Sequence, residues 1–423
     1  MAIDSRAVLE LRGEFPALQC MVDGRSPVFF DGPGGTQVHA SVIDAIQRYL
    51  LEANSNAGGA FEHSRRTDAT ALAARQAVAD LLNASRPEEI AFGPNMTTLT
   101  FQLSRAIGRI IRPGDEIVVT RLDHDANVAP WRALEERGAV IREVDFRPDD
   151  CTLDMSSLEK AITPRTRLVA MGYASNAVGT INDVRRAVEL AHMVGAWVFV
   201  DAVHYAPHAP IDVQALGCDW LVCSAYKFFG PHAGALYGRY ALLETLPAYK
   251  VRPAHDEPPY RLETGTLCFE ALAGVGAAVD YLASVGRRFG HECLASVGLS
   301  GRRQELQAGM AAIRAYETDL CRHLIDGLGQ MRGLRMYGVT DPARSDWRVP
   351  TVSFTLEGVP PHEIARRLGQ EGIYVWDGNF YALAVTERLG LEGRGGLVRV
   401  GLVHYSTTAE IDRLLEALQQ MPA

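Results

Sequence analysis

The sequence predicts an α/β protein. A large domain, residues 26–290, is built on a mostly parallel sheet flanked by helices, and a small α+β domain is formed by 291–423 together with 1–25. Three observations predict this. At 423 residues the chain exceeds one simple core. From about residue 40 to 240, amphipathic stretches alternate with short apolar runs, the pattern of βαβ units. After about 285 that alternation stops, and a long helical stretch leads into brief strands and helices.

In chain order, apolar residues at three- and four-residue spacing predict helices over 40–52, 69–84, 98–111, 129–138 and 183–194. Between and after them, "EIVVT" (116–120), "RLVAMG" (167–172), "WVFVDA" (197–202), "WLVCSA" (220–225) and "GALYG" (234–238) read as buried strands. The second region reads as a helix over 302–330, the strand "VPTVSFTL", a helix near 361–370, "GIYVWD", "LVRVGLVHY" and a closing helix over 408–420. Two helices on a small antiparallel sheet fit that order.

Composition narrows the function. Apolar residues make up 47% and charged residues 22%, ordinary for a soluble globular protein, and the net charge of −9 without a Lys/Arg block argues against a nucleic-acid surface. Seven cysteines (20, 151, 218, 223, 268, 293, 321) carry no CxxC pair, as expected of free thiols in a reducing compartment. The charged N-terminus "MAIDSRAVLELRGEF" lacks a signal-peptide core, and no run of eighteen apolar residues suggests a span. A cytoplasmic protein without a metal site or membrane partner is expected.

Parallel sheets bind ligands beyond the carboxyl ends of their strands. Four such ends carry unusual polar residues: His124, Asn176, Asp201 with His204, and Ser224 with Lys227. Only three of the 42 basic residues are lysines (Lys160, Lys227 and Lys250), so Lys227 sits where the chain's habit would place arginine. An Asp201–Lys227 salt bridge would account for both residues. A chemical reading accounts for more: an amine can form an imine with an aldehyde cofactor, which a guanidinium cannot. If that cofactor is pyridoxal phosphate, Asp201 is placed to keep the ring nitrogen protonated and an imidazole such as His124 to stack on the ring. "FGPNMTTLTF" then offers Met96 and Thr97 at a helix N-terminus for the phosphate, with Ser224 as a second hydroxyl. Taken alone, its Thr97–Thr98 pair reads as an ordinary helix cap.

The ordered motifs "DGPGGTQ", "GPNMTT", "LDHDANVAPW", "SNAVGT", "VDAVHYAPH", "SAYKFFGPH", "ETGT" and "VRVGLVHY" resemble the class V aminotransferase family of pyridoxal-phosphate enzymes. The closest likeness is to its cysteine desulfurase and selenocysteine lyase branch, over residues 28–418. The resemblance implies the fold type I architecture of pyridoxal-phosphate-dependent transferases and pyridoxal 5'-phosphate as cofactor. It implies that Lys227 holds the cofactor and that His124 and Asp201 are the stacking and ring-nitrogen residues. Met96, Thr97 and Ser224 would take the phosphate, with Tyr226 where the family has a histidine. Asn176 and His204 would lie near the phenolic oxygen, where desulfurases have glutamine at the latter position. Arg399, with Gly34 and Gly35, would receive the substrate, the guanidinium clamping its α-carboxylate. Thr266 matches a threonine that reaches the neighbouring subunit's phosphate, implying a homodimer with shared active sites.

One departure bears on the reaction. Where desulfurases carry "Arg-x-Gly-x-x-Cys-Ala", this chain reads "VWDGNFYALAV": Trp376 replaces the arginine and Tyr381 the cysteine that becomes a persulfide. Cys268 and Cys223 are the substitutes to consider, the latter reading as a packed strand residue. "NSNAGGAFEHS" also lacks the histidine-rich, arginine-containing character of its counterpart, so "NSNAGGAF", "VRPAHDEPPY" and "VWDGNFYA" are expected to wall a smooth pocket. The expected activity is C–S or β-elimination lyase chemistry on an L-amino acid without a protein persulfide, with Lys227 as base and Tyr381 as a general acid. A class V aminotransferase or epimerase is the alternative, and an inactive cofactor-bearing scaffold the minor one.

Overall fold

The computed structural model describes residues 3–291 and 298–421; Cys293 lies outside them. Seven strands form the central sheet: β1 (Ile90–Gly93), β2 (Glu116–Thr120), β3 (Val140–Val144), β4 (Thr166–Gly172), β5 (Trp197–Asp201), β6 (Trp220–Ser224) and β7 (Gly234–Gly238). Their order is β1-β7-β6-β5-β4-β2-β3; β7 pairs antiparallel with both neighbours, while the strands from β6 to β3 pair in parallel.

The sheet is covered on both faces. Val118, Val169, Val200 and Leu221 enter one apolar cluster, and Ile117, Leu168, Phe199 and Val222 enter another. Alternate residues feed opposite cores because side chains alternate across a strand. The sequence reading missed β1 and β3. In β3, "VIREV", the side chains are largely exposed at the sheet edge, so its charges hide an apolar run.

Helix Phe269–Phe289 was missed as well. Its 21 residues have the length and hydropathy to cross a bilayer, yet it packs against helices Ala40–Glu52, Glu62–Leu82 and Gly301–Gly329. Small residues permit the close crossing: a Cβ on Gly286 would lie 1.8 Å from the Glu305 carbonyl oxygen. Burial on several sides erased the one-face periodicity that marks a surface helix.

The small sheet contains β8 (Leu334–Tyr337), β9 (Thr351–Leu356), β10 (Trp376–Gly378) and β11 (Leu397–Gly401), in the antiparallel order β10-β11-β9-β8. Helices Gly301–Gly329, Pro361–Gln370 and Thr408–Gln419 enclose its core through Leu324, Ile364 and Leu414. The N-terminal helix Ser5–Gly13 touches both regions. Val8 and Leu11 enter the large apolar cluster, and Arg12 pairs with Glu410 of the last helix at 2.8 Å. Further on, Val28–Phe29 pairs in parallel with Ile373–Tyr374.

Candidate active site

The carboxyl ends of β2, β4, β5 and β6 face a cavity of about 620 Å³ closed on one side by β10 and the loop after it. Met96, Thr97, His124, Asn176, Asp201, His204, Tyr226, Lys227 and Arg399 all line it, as do Gly34 and Tyr381. Residues spread over three hundred positions therefore meet at one place, as the strand-end rule anticipates.

Lys227 follows β6 in a short 3-10 turn. Its Nζ donates to the carbonyl oxygens of Pro33 and Gly34, at 3.0 Å for the latter. No ion pair with Asp201 forms, so the salt-bridge reading of these two residues is set aside. Burial pushes the lysine down to about 7, the Arg399 charge adds to this, and Asp201 and Asp31 oppose it. Asp201 accepts the Val203 N–H at 2.9 Å through Oδ1, and burial raises it to about 6 against that hydrogen bond and the Lys227 charge. His124 accepts the Ala126 N–H through Nδ1 at 3.0 Å; burial, then the charges of Lys227 and Arg399, hold it down at about 4. It is neutral at pH 7.

Helix Met96–Ile107 points its N-terminus at the cavity. Its cap is Asn95, whose Oδ1 accepts the Thr98 N–H at 2.9 Å, which corrects the reading of Thr97 and Thr98 as the cap. The Asn side chain takes the role because its oxygen reaches that free N–H from extended backbone. Ser224 lies beside the same helix start. Its hydroxyl is fully buried and accepts the Met96 N–H at 3.1 Å, which leaves its O–H free to donate.

Arg399, on β11, is buried. Its Nη1 donates to the Asn176 carbonyl at 2.9 Å, its Cζ lies 4.1 Å from the centre of the Phe380 ring, and its Nε is buried without a partner. Burial disfavours its charge and Asp31 opposes that effect; a guanidinium remains protonated at ordinary pH. Asn176 donates Nδ2 to the Phe380 carbonyl at 2.8 Å, and its buried Oδ1 is unpartnered. His204 turns toward β9, with Nε2 3.0 Å from Thr351 Oγ1.

Other expected residues lie elsewhere. Gly35 packs under the Tyr226 ring, which lies 4.8 Å from Lys227 Nζ. Thr266 and Cys268 are exposed and do not line the cavity of a single chain. Residues 54–61 and 251–260, the segments "NSNAGGAF" and "VRPAHDEPPY", do not line the cavity of a single chain either. Most of their residues are exposed, Phe61 and Tyr260 about half so, while Pro258 and Pro259 are buried. Cys223 is buried in β6, its thiol pushed up to about 12 by burial and the Asp201 charge.

Sequence reasoning missed two carboxylates. Asp123 is buried beside Asp201; it accepts the Gly172 N–H at 2.6 Å and the Asn127 amide at 3.1 Å. Burial and the Asp201 charge raise it well above the usual carboxylate range. Its place immediately before His124 was the available signal. Asp31 precedes the glycines of "DGPGG", and burial raises it to about 6 while Arg399 and Lys227 pull the other way.

With this geometry in place, the relationships are specific. The family model for class-V aminotransferases matches residues 28–296 and 291–414. The chain belongs to that family. A cysteine desulfurase of Synechococcus elongatus is 35% identical across 97% of this chain, which spans 63% of that relative's length. A probable cysteine desulfurase of Synechocystis is 31% identical across 97% of the chain and 94% of the relative. The apo structure of the Thermococcus onnurineus NA1 cysteine desulfurase superposes with a TM-score of 0.84, at 26% identity over 97% of both chains. The crystal structure of the cysteine desulfurase CsdA (S-sulfonic acid) from Escherichia coli gives 0.81, at 27% identity over 98% of both.

This class-V chain is a pyridoxal-phosphate-dependent enzyme. The cavity fits that cofactor: a lysine amine near neutrality, a buried carboxylate at the end of β5 and a neutral histidine share its lining. The unpartnered Asn176 Oδ1 and Arg399 Nε mark a buried polar region still able to receive a ligand.

The lysine's position sets a pH dependence. Capture of pyridoxal phosphate by the apoprotein should quicken about tenfold per pH unit below 7 and level off above it, because only the neutral amine attacks. A stopped-flow absorbance series from pH 6 to 9 checks this. A rate still climbing at pH 9 would mean an ordinary lysine.

Proposed function

We propose that the enzyme is a lyase for a sulfur-containing or otherwise β-substituted L-amino acid, working by β-elimination without a protein persulfide. One observation carries this reading. Among the described residues no cysteine lines the cavity, and Tyr381 projects from the loop where a desulfurase has its thiol. A phenol cannot accept sulfane sulfur. The relatives' names favour cysteine desulfurases, so the missing thiol is what separates this chain from them.

Arg399 receives the substrate carboxylate through its guanidinium N–H groups and orients Cα beside Lys227. Lys227, neutral above about pH 7, takes the α-proton. Lys227, Asp201 and His124 would hold pyridoxal phosphate, which would supply the sink for the electron pair left at Cα. The Cβ–S bond then breaks and sulfur leaves with its pair. Tyr381 delivers a proton to the leaving sulfur. After release, hydrolysis of the remaining fragment yields pyruvate and ammonia. The exposed Thr266, Phe61 and Tyr260 support a homodimer in which these segments complete a second chain's cavity.

The test is a product assay on the holoenzyme with L-cysteine and S-methyl-L-cysteine, scoring thiol or sulfide, pyruvate and alanine, with Lys227→Ala as blank. Thiol or sulfide in equal amount with pyruvate is expected. Alanine with sulfane sulfur would restore the desulfurase reaction. Amino-group exchange with an oxo acid, and no thiol, would make the enzyme a transaminase.

A further inference from the structure

The loop that replaces the thiol is built from aromatic residues, and it is held in place. Trp376, Phe380 and Tyr381 all wall the cavity. Trp376 pairs across β10 and β11 with Arg399, and its indole nitrogen lies so near Gly34 that a Cβ there would be 2.5 Å away. Phe380 and Tyr381 both adopt left-handed backbone, with φ of 57° and 58°. Two such non-glycine residues in succession persist only where their surroundings hold them. Here the Phe380 carbonyl accepts Asn176 Nδ2 at 2.8 Å and the Tyr381 carbonyl accepts the Asp125 N–H at 2.7 Å. Asn379 accepts the Tyr381 N–H at 3.1 Å and donates to Glu392 at 3.0 Å.

That geometry orders the three rings. Phe380 covers one face of the Arg399 guanidinium, so a carboxylate must approach along its edge. Tyr381 lies nearly parallel to His124, with ring centres 5.5 Å apart and planes 17° from parallel. Trp376 and Tyr381 nevertheless remain 52% and 74% exposed at the cavity wall. Within one chain this leaves large apolar surface open at the cavity wall beside Arg399, where a substrate side chain would lie. A hydrogen or a methyl on the substrate sulfur would leave it wet.

We infer that Trp376 and Tyr381 select a substrate whose sulfur or other β-substituent carries a large aromatic or branched apolar group, an S-aryl- or S-aralkyl-cysteine rather than free cysteine. This rests on the lyase reading for its chemistry: the Cβ–S bond breaks, the substituted thiolate leaves with the electron pair and is protonated, and pyruvate and ammonia remain. Selection itself is a matter of binding.

The experiment therefore uses probes that cannot react. 3-(Benzylthio)propionate and 3-(methylthio)propionate carry the carboxylate and the side chain but no amine. On the wild-type holoenzyme the benzyl compound should bind about tenfold or more tightly than the methyl compound, the gain of one or two aromatic contacts. Its binding should change tryptophan emission in wild type and not in Trp376→Phe. Tyr381→Ala and Tyr381→Leu should both bring the affinity ratio toward one. Equal or weaker binding of the benzyl probe overturns the inference, and so does a ratio that survives both Tyr381 variants. Products from S-benzyl-L-cysteine are scored separately. Absence of benzylthiol and pyruvate from them would sink the lyase reading while the affinity ratio still decides selection.

Discussion

Lys227→Ala should lower kcat by at least about 10³-fold while leaving the protein folded, since both the amine that holds the cofactor and the base at Cα are lost. The fold should tolerate the change because Nζ is bound only to two loop carbonyls, those of Pro33 and Gly34. Truncation therefore strands no partner carboxylate, and the thermal midpoint should stay close to wild type. Lys227→Arg should not restore turnover: it returns the charge but not an amine. Initial rates and thermal melts on the three proteins check this. Turnover of Lys227→Ala within tenfold of wild type would remove the lysine from the chemistry.

Arg399→Gln should lower kcat/KM by about 10²- to 10³-fold, with most of the loss in KM. Losing a buried charge-assisted contact costs about 2–5 kcal/mol, and every 1.4 kcal/mol is tenfold. A second consequence separates a direct role from general damage. The Arg399 charge is, after burial, the main influence holding the Lys227 amine down. Its removal should move the pH at which cofactor capture levels off upward from about 7. A structural defect alone would slow capture without shifting that profile, and an unshifted profile would count against the coupling.

Much of the site was legible because its chemistry constrains residue type. A lone lysine among arginines, an aspartate closing an apolar strand and a histidine just past another strand each break a local pattern, and all three meet in the cavity. Asp123 and Asp31 were harder to see. One stood beside a more conspicuous histidine, and the other led the motif "DGPGGTQ", whose glycines were read for the substrate. Ser224 shows a different limit: that its hydroxyl accepts the Met96 N–H depends on how strand and helix meet, which spacing alone does not give. In the fold, β3 hid behind edge charges and helix Phe269–Phe289 behind burial on several sides. The contact of Phe380 with Arg399 joins residues whose pairing depends on strand register and a left-handed turn. Neither has a compositional mark.

The parallel pairing of Val28–Phe29 with Ile373–Tyr374 has a mechanical outcome. Phe30 is stitched on both sides, its N–H to the Tyr374 carbonyl at 3.0 Å and its carbonyl to the Gly401 N–H at 2.8 Å. Three residues further on, the Pro33 carbonyl holds the lysine, and the Thr36 N–H is anchored to the Tyr226 carbonyl at 3.0 Å. The chain between Phe30 and Thr36 is thus a short tether, fastened at one end to the sheet that carries Arg399 and at the other to the turn that carries Lys227. Arg399 sits in the small sheet and Lys227 in the turn after a strand of the large one, yet neither can travel far without drawing on the same few peptide units. The distance between the Arg399 guanidinium and the Lys227 amine, the pair the proposed reaction needs, is kept by a tie-rod rather than by two separate walls.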